Sequence, residues 1–200
     1  MQKDINELTE NEMSKKIAEG IKISNSNIQI GDRKNILIGL TCGVSDEVNL
    51  LFQSAEQDIV VYLSQEYIID FENNDLLKKF KRSLPEDKVL IPLVIFEVKK
   101  KSVNTHTLRQ YSQIAKSIKS IFPFCMYNLL LLDINKSINS DIDKVYMTAK
   151  NFDRVIYEKY NDKKKGKLIT NLNALIEQHL EYLKNEKFFN LESLLKSKNK

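Results

Sequence analysis

The stretch IPLVIFEVKKK, residues 91–101, decides the fold of this 200-residue chain. It begins as a continuous apolar run, as a buried strand requires, and it ends in a carboxylate followed by a row of ammonium groups. Because side chains alternate along a strand, Glu97 and Lys99 are predicted to point to one face and Val98 to the other. An ionised pair at the end of a buried strand is costly unless it meets a metal ion, a phosphate or a water-filled cleft.

A second acid precedes this stretch by about 40 residues. In QDIVVY, residues 57–62, Asp58 opens another apolar run. One acid that opens a strand and an acid-x-lysine triplet that ends the next suit a divalent cation held beside a water molecule, with the backbone carbonyl of Val98 as a further ligand. Asp70 also follows an apolar pair and is the alternative partner acid. We favour Asp58, because its distance from Glu97 fits a hairpin with an inserted helix.

The composition indicates one globular domain over residues 1–200. Hydrophobic residues make up 42% of the chain and charged residues 29%, with five Gly and three Pro, which excludes a disordered or fibrous protein. The net charge of +4 identifies no partner by itself. Cys42 and Cys125 fit no metal spacing and are expected to be core residues in a reducing compartment. No stretch is typical of a signal peptide or a membrane span, so we expect a cytoplasmic protein.

The remaining periodicity predicts an α/β or α+β fold in which helices cover a sheet. Helices are predicted over residues 3–23, 48–52, 74–84, 104–122 and 168–183. Strands are predicted over residues 58–63, 67–71, 88–99, 125–133 and 153–157, with a short strand or hairpin around Gly31-Asp32 and a charged loop over 161–166. The helix between the 88–99 and 125–133 strands makes a crossover, which predicts a parallel strand pair. A C-terminal helical segment is expected over 168–195.

These residues resemble the PD-(D/E)XK nuclease superfamily, to which type II restriction endonucleases belong. The resemblance rests on Asp58, on Glu97-Val98-Lys99 beginning 39 residues later, and on the helix and apolar strand that follow. It covers about residues 45–135, where it implies a catalytic core built on a central mixed sheet flanked by helices. It also implies dependence on Mg²⁺, for which Mn²⁺ substitutes, and a nucleic-acid substrate. It also implies that Asp58 and Glu97 are metal ligands and that Lys99 is the catalytic lysine. Gln57 stands where the family has a proline, and the Gln-x-x-x-Tyr motif of the exonuclease-helicase branch is absent.

Further site residues follow from the same resemblance and from charge. Members of the family often add an acid from an earlier helix, for which Glu47 is the candidate, with Glu19 behind it. The candidate DNA-binding residues are basic side chains near the presumed catalytic strands: Lys78, Lys79, Lys81, Arg82, Lys100, Lys101 and Arg109. The alternative is that these are ordinary solvated surface residues, with Glu97 and Lys99 as a strand rim and Asp58 as a turn residue.

The sequence therefore predicts a Mg²⁺-dependent endodeoxyribonuclease. The simplest form is a type II restriction endonuclease of a restriction-modification system, which cuts double-stranded DNA as a homodimer, because two cuts at a palindrome require two related active sites. One alternative is a structure-specific repair or resolvase nuclease of the same fold. The other is a non-catalytic binding module that kept the fold without the chemistry.

Overall fold

A computed structural model describes residues 8–44, 48–64, 67–68, 81–83, 88–100, 103–133, 148–160 and 162–186. Its helices are α1 (Glu10–Gly20), α2 (Thr105–Ile121) and α3 (Asp162–Asn185). Its strands are β1 (Ile28–Val44), β2 (Val48–Leu63), β3 (Tyr67–Ile68), β4 (Lys81–Ser83), β5 (Lys88–Val89), β6 (Pro92–Lys100), β7 (Met126–Leu132) and β8 (Arg154–Glu158). The protein has an α/β fold, as the sequence predicts.

The main sheet is mixed. Its strand order is β1-β2-β6-β7-β8, and β4 pairs in parallel with β2 outside this path. Strand β2 runs antiparallel to both β1 and β6, whereas β6, β7 and β8 are parallel to one another. Strands β3 and β5 form a separate antiparallel pair. The predicted crossover from β6 through α2 to β7 is confirmed.

Helices cover both faces of this sheet. On one face α1 and α3 pack against a cluster of buried residues that includes Val94, Phe96 and Val98 of β6. On the other face α2 packs against a second cluster that includes Ile95. Full burial of such apolar side chains contributes about 1.5–3 kcal/mol each, which makes β6 the central strand of the core. Since Glu97 and Lys99 alternate with Val98, they lie on the face covered by α2.

The first two strands are much longer than the sequence predicts. Of the short strand or hairpin expected around Gly31-Asp32, the strand is present but the hairpin is not, because β1 continues to Val44, and the expected helix over 48–52 is wrong, because β2 already begins at Val48. Pairing between β1 and β2 supplies hydrogen-bond partners for both segments, and this outweighs the local turn preference. A trace of the turn remains at Arg33, whose φ is 51° and which is skipped in the strand register.

Other predicted boundaries also change. Lys81–Ser83 is a strand rather than the end of a helix, and the remainder of the predicted 74–84 helix lies outside the described residues. The predicted loop over 161–166 is wrong, because α3 begins at Asp162. The helix thus begins before the leucine pattern that predicts it. Its first turns contain several lysines, which are good helix formers. The part of the predicted C-terminal helical segment beyond residue 186 lies outside the described residues.

Two further expectations bear on the class of protein. Cys125 is buried and carries a free thiol, as expected of a core cysteine. None of the helices in the described ranges has both the length and the apolar character that crossing a bilayer requires.

Candidate active site

Lys99 lies among three carboxylates. Its Nζ lies 3.0 Å from Glu97 Oε1, 3.3 Å from Glu10 Oε2 and 3.9 Å from Asp58 Oδ2. The strand register explains part of this convergence: Ile59 pairs with Phe96 between antiparallel strands, so the next residues outward are Asp58 on β2 and Glu97 on β6. The structure thus brings together the two acids and the lysine that the sequence singles out.

Asp58 occupies a different place in its strand from the one predicted. It lies in the interior of β2 rather than at its start, because β2 begins ten residues earlier at Val48. Its Oδ2 accepts a hydrogen bond from Val98 N at 2.8 Å. The side chain therefore provides the partner for a β6 amide at the point where the pairing between β2 and β6 ends. This bond holds Asp58 beside the Glu97-Val98-Lys99 triplet.

Burial dominates the electrostatics of the two acids. Glu97 is 2% exposed, and its burial together with the nearby charge of Asp58 raises its pKa to about 8 against the opposing effect of Lys99. Burial also raises the pKa of Asp58, although the bond from Val98 N and the charge of Lys99 oppose this. The pair therefore retains a proton that a bound cation would displace.

Lys99 stays charged in this setting. Burial alone would lower its pKa, but the carboxylates of Glu97 and Asp58 raise the pKa above the ordinary value of a lysine. The Lys99 side chain is 10% exposed, and its ammonium group acts as the counter-cation of the acids.

The oxygen donors fit a hard cation of the Mg²⁺ type. Such an ion takes one or two carboxylates from a protein and completes its shell with water and substrate phosphate. Asp58 and Glu97 meet that requirement, since an oxygen of each lies within 3.9 Å of the same atom, Lys99 Nζ. Across the described ranges, no group of three or more His, Cys, Asp or Glu side chains is arranged to hold a metal ion.

Glu10 is the site residue that sequence reasoning missed. It lies in the first turn of α1, after the N-cap Thr9, which forms a capping box with Glu12. Its Oε1 accepts a hydrogen bond from Lys100 N at 3.0 Å, in addition to the contact of Oε2 with Lys99. Acids are favoured in the first turn of any helix, so Glu10 is not distinctive in sequence. Of the predicted helix acids, Glu19 is exposed near the other end of α1 and Glu47 lies outside the described residues.

Tyr111 of α2 completes the surroundings of Lys99. The centroid of its ring lies 4.6 Å from Lys99 Nζ. The helical periodicity places Tyr111 on the sheet-facing side of α2. The sequence alone does not show which residues of the sheet it faces.

Gln57 stands at the position where the PD-(D/E)XK pattern has a proline. Its side chain is fully buried, its Oε1 accepts a hydrogen bond from the Tyr127 hydroxyl, and its Nε2 donates to Glu56 O at 2.9 Å. Because a buried amide must be hydrogen-bonded, these partners fix the backbone of β2 immediately before Asp58. The departure from the family pattern at this position therefore leaves the placement of Asp58 intact.

The candidate DNA-binding residues are dispersed. Lys100 Nζ donates to Leu8 O at 2.7 Å, and Arg109 is exposed on α2. Arg82 pairs with Leu50 in the register of β4 and β2, about 26 Å along the strand from Asp58 at 3.3 Å per residue, so it and Lys81 lie on a strand far from the acids rather than on the predicted helix. The remaining candidates, Lys78, Lys79 and Lys101, and the alternative acid Asp70 lie outside the described residues.

A cleft of about 520 Å³ opens elsewhere, at the amino-terminal end of β7. Its lining includes Cys125, His179 and Lys119, with Lys119 Nζ bonded to Asp153 Oδ1 at 2.5 Å. Burial raises the pKa of the Cys125 thiol, so this cysteine is not an activated nucleophile. We therefore place the candidate chemistry at the acid cluster rather than in the cleft.

Compared with known proteins, the chain matches no protein-family model and no curated protein. The assignment of a function accordingly depends on the geometry of the site and on the sequence resemblance described above.

Proposed function

We propose that the protein is a Mg²⁺-dependent endodeoxyribonuclease that hydrolyses phosphodiester bonds in double-stranded DNA, most simply as a homodimeric type II restriction endonuclease. The observation that carries the proposal is the meeting of Asp58, Glu97 and Lys99 on neighbouring strands. Two acids and a lysine at this spacing are also what the resemblance to the PD-(D/E)XK superfamily requires.

Asp58 and Glu97, with the backbone carbonyl of Val98, would hold the ion. The chemistry that bound Mg²⁺ supplies is polarisation of a phosphoryl oxygen and a lowered pKa of a coordinated water. Mn²⁺ is expected to substitute, because it accepts the same oxygen ligands.

Lys99 is suited to one of the two roles open to an active-site lysine. An amine that accepts a proton from water must first be neutral, but the surrounding carboxylates raise the pKa of Lys99 and keep it charged. A charged ammonium orients the attacking water and stabilises the negative charge that develops on the phosphoryl group. Glu10, in contact with both Lys99 Nζ and Lys100 N, fixes the end of β6 on which this ammonium is carried.

A cleavage assay tests the proposal. Purified protein is incubated with plasmid DNA and Mg²⁺, and Glu97→Ala and Lys99→Ala are each expected to lower the rate by about 10²-fold or more. Their folding and their binding of DNA in the presence of EDTA should stay close to those of the unaltered protein. Lys116→Ala is the matched control, since Lys116 is exposed on α2. Mg²⁺-dependent cutting retained by both site variants would rule out this site.

The products separate the alternatives. Discrete plasmid fragments support a restriction endonuclease, whereas selective cutting of branched DNA supports a repair or resolvase nuclease. Calorimetric titration with Mg²⁺ tests whether the protein is instead a non-catalytic binding module. A competent site binds the ion, and its affinity for Mg²⁺ should fall in Asp58→Ala.

A further inference from the structure

Besides its three carboxylates, Lys99 contacts an uncharged side chain, that of Tyr111 on α2. The ring of Tyr111 lies 4.6 Å from the ammonium, well inside the range of about 6 Å over which a cation is attracted to the face of an aromatic ring. Tyr111 is partly buried and packs against the core cluster that contains Leu108 and Ala115 of the same helix, which are 2% and 0% exposed. The contact thus joins a helix of the core to the strand that carries Lys99.

Asp58 and Glu97 cannot fully serve both as anchors of Lys99 and as ligands of another cation, which leaves Glu10 and the ring of Tyr111 in contact with the ammonium. Oxygens of Asp58 and Glu97 that bind a divalent ion no longer attract the ammonium fully, and the ion itself repels it. The face of an aromatic ring attracts an ammonium group through its quadrupole and carries no oxygen that competes for the ion.

We propose that Tyr111 is a positioning residue of the site: the face of its ring holds the ammonium of Lys99 in place while Asp58 and Glu97 bind a cation. This inference rests on the proposed nuclease function and names the group that keeps Lys99 oriented during it. Tyr111 does not touch the reacting atoms and acts through Lys99.

Two substitutions separate the ring from its hydroxyl. Tyr111→Phe keeps the ring face, and it is expected to cut DNA with kcat and KM within about threefold of the unaltered protein. Tyr111→Leu removes the ring, and its kcat is expected to fall about tenfold while KM changes less than about threefold, because no contact with DNA is lost. Tyr182→Leu, at an exposed tyrosine of α3, is the control and should leave both constants unchanged.

A spectroscopic measurement tests the contact without catalysis. In metal-free protein labelled with ¹³C at the lysine ε-carbon, the Lys99 methylene protons should be displaced upfield by the ring, and Lys99→Arg identifies the signal. The displacement should persist in Tyr111→Phe and vanish in Tyr111→Leu. If Tyr111→Leu does not fold, Tyr111→Met replaces it, because the flexible methionine side chain also lacks a ring and adapts to irregular gaps in a core.

Several results would overturn the inference. These are a Tyr111→Leu protein with unaltered kcat, a Tyr111→Phe protein as impaired as Tyr111→Leu, or a Lys99 signal that is the same in all variants. If the unaltered protein cuts no DNA while the Lys99 signal responds as expected, the nuclease proposal fails and the ring-ammonium contact stands.

Discussion

Asp58 Oδ2 accepts a hydrogen bond from the main-chain amide of Val98 at 2.8 Å, so a side chain takes the place of a neighbouring strand. The same oxygen lies 3.9 Å from Lys99 Nζ. One carboxylate thereby serves both the pairing of β2 with β6 and the charge balance of the site. The two roles can be separated by substitution.

Asp58→Asn should fold at least as well as the unaltered protein. The amide oxygen still accepts the bond from Val98 N, and the cost of a buried charge is removed, since burial raises the pKa of Asp58. Asp58→Ala leaves Val98 N without its partner and should lose about 1–2 kcal/mol of unfolding free energy. Urea denaturation in EDTA measures both. Equal destabilisation by the two substitutions would show that the bond does not support the strand pair.

Glu97→Gln should make metal-free protein more stable at alkaline pH. The folded-state pKa of Glu97, about 8, exceeds its ordinary value of 4.5, so the folded protein holds this proton more tightly than the unfolded chain. The resulting stability is complete below about pH 4.5 and is lost as the pH rises through 8. Between pH 5 and pH 8 the unaltered protein should therefore lose about 3 kcal/mol relative to the variant. Denaturation curves in EDTA at several pH values check this, and parallel pH profiles would contradict it.

Glu10→Gln should impair cleavage more than folding. The neutral side chain still accepts a hydrogen bond from Lys100 N, but it no longer attracts the ammonium of Lys99. We expect the cleavage rate to fall about tenfold, with a change in unfolding free energy below about 1 kcal/mol. Glu19→Gln is the matched control, because Glu19 is an exposed acid on the same helix. Equal rates for the two variants would remove Glu10 from the site.

Two glycines should respond oppositely to alanine. A Cβ at Gly20 would lie 2.2 Å from Ile169 Cδ1, so α1 must shift or Ile169 must change rotamer, at a cost of about 1–3 kcal/mol. A Cβ at Gly166 meets no atom within 4 Å, and alanine in the interior of α3 should add about 1 kcal/mol. Thermal unfolding of the two variants measures the difference. Ile169→Ala combined with Gly20→Ala should recover the part of the loss that is due to the clash.

The sequence predicts those parts of the fold in which local pattern and tertiary structure agree. Strands β6 and β7 are continuous apolar runs, and α2 has a clear helical period, so the crossover and its parallel pair follow from residues 91–132 alone. The shared face of Glu97 and Lys99 follows from the alternation of a strand. These features need no knowledge of distant residues.

The parts that the sequence does not predict depend on pairing across the chain. Val48 begins a strand because β1 lies beside it, whereas its local surroundings favour a helix. Glu10 joins the site because α1 packs close to the end of β6, although its sequence position indicates only the start of a helix. The closeness of Asp58 to the triplet is likewise a consequence of the antiparallel register of β2 and β6.

That register also determines when the site assembles during folding. The β1–β2 hairpin joins neighbouring segments and can close early, and it already contains Asp58. Glu97 lies 39 residues later and reaches Asp58 only after a longer loop has closed. A chain emerging from the ribosome therefore carries Asp58 and Glu97 apart until β6 pairs with β2.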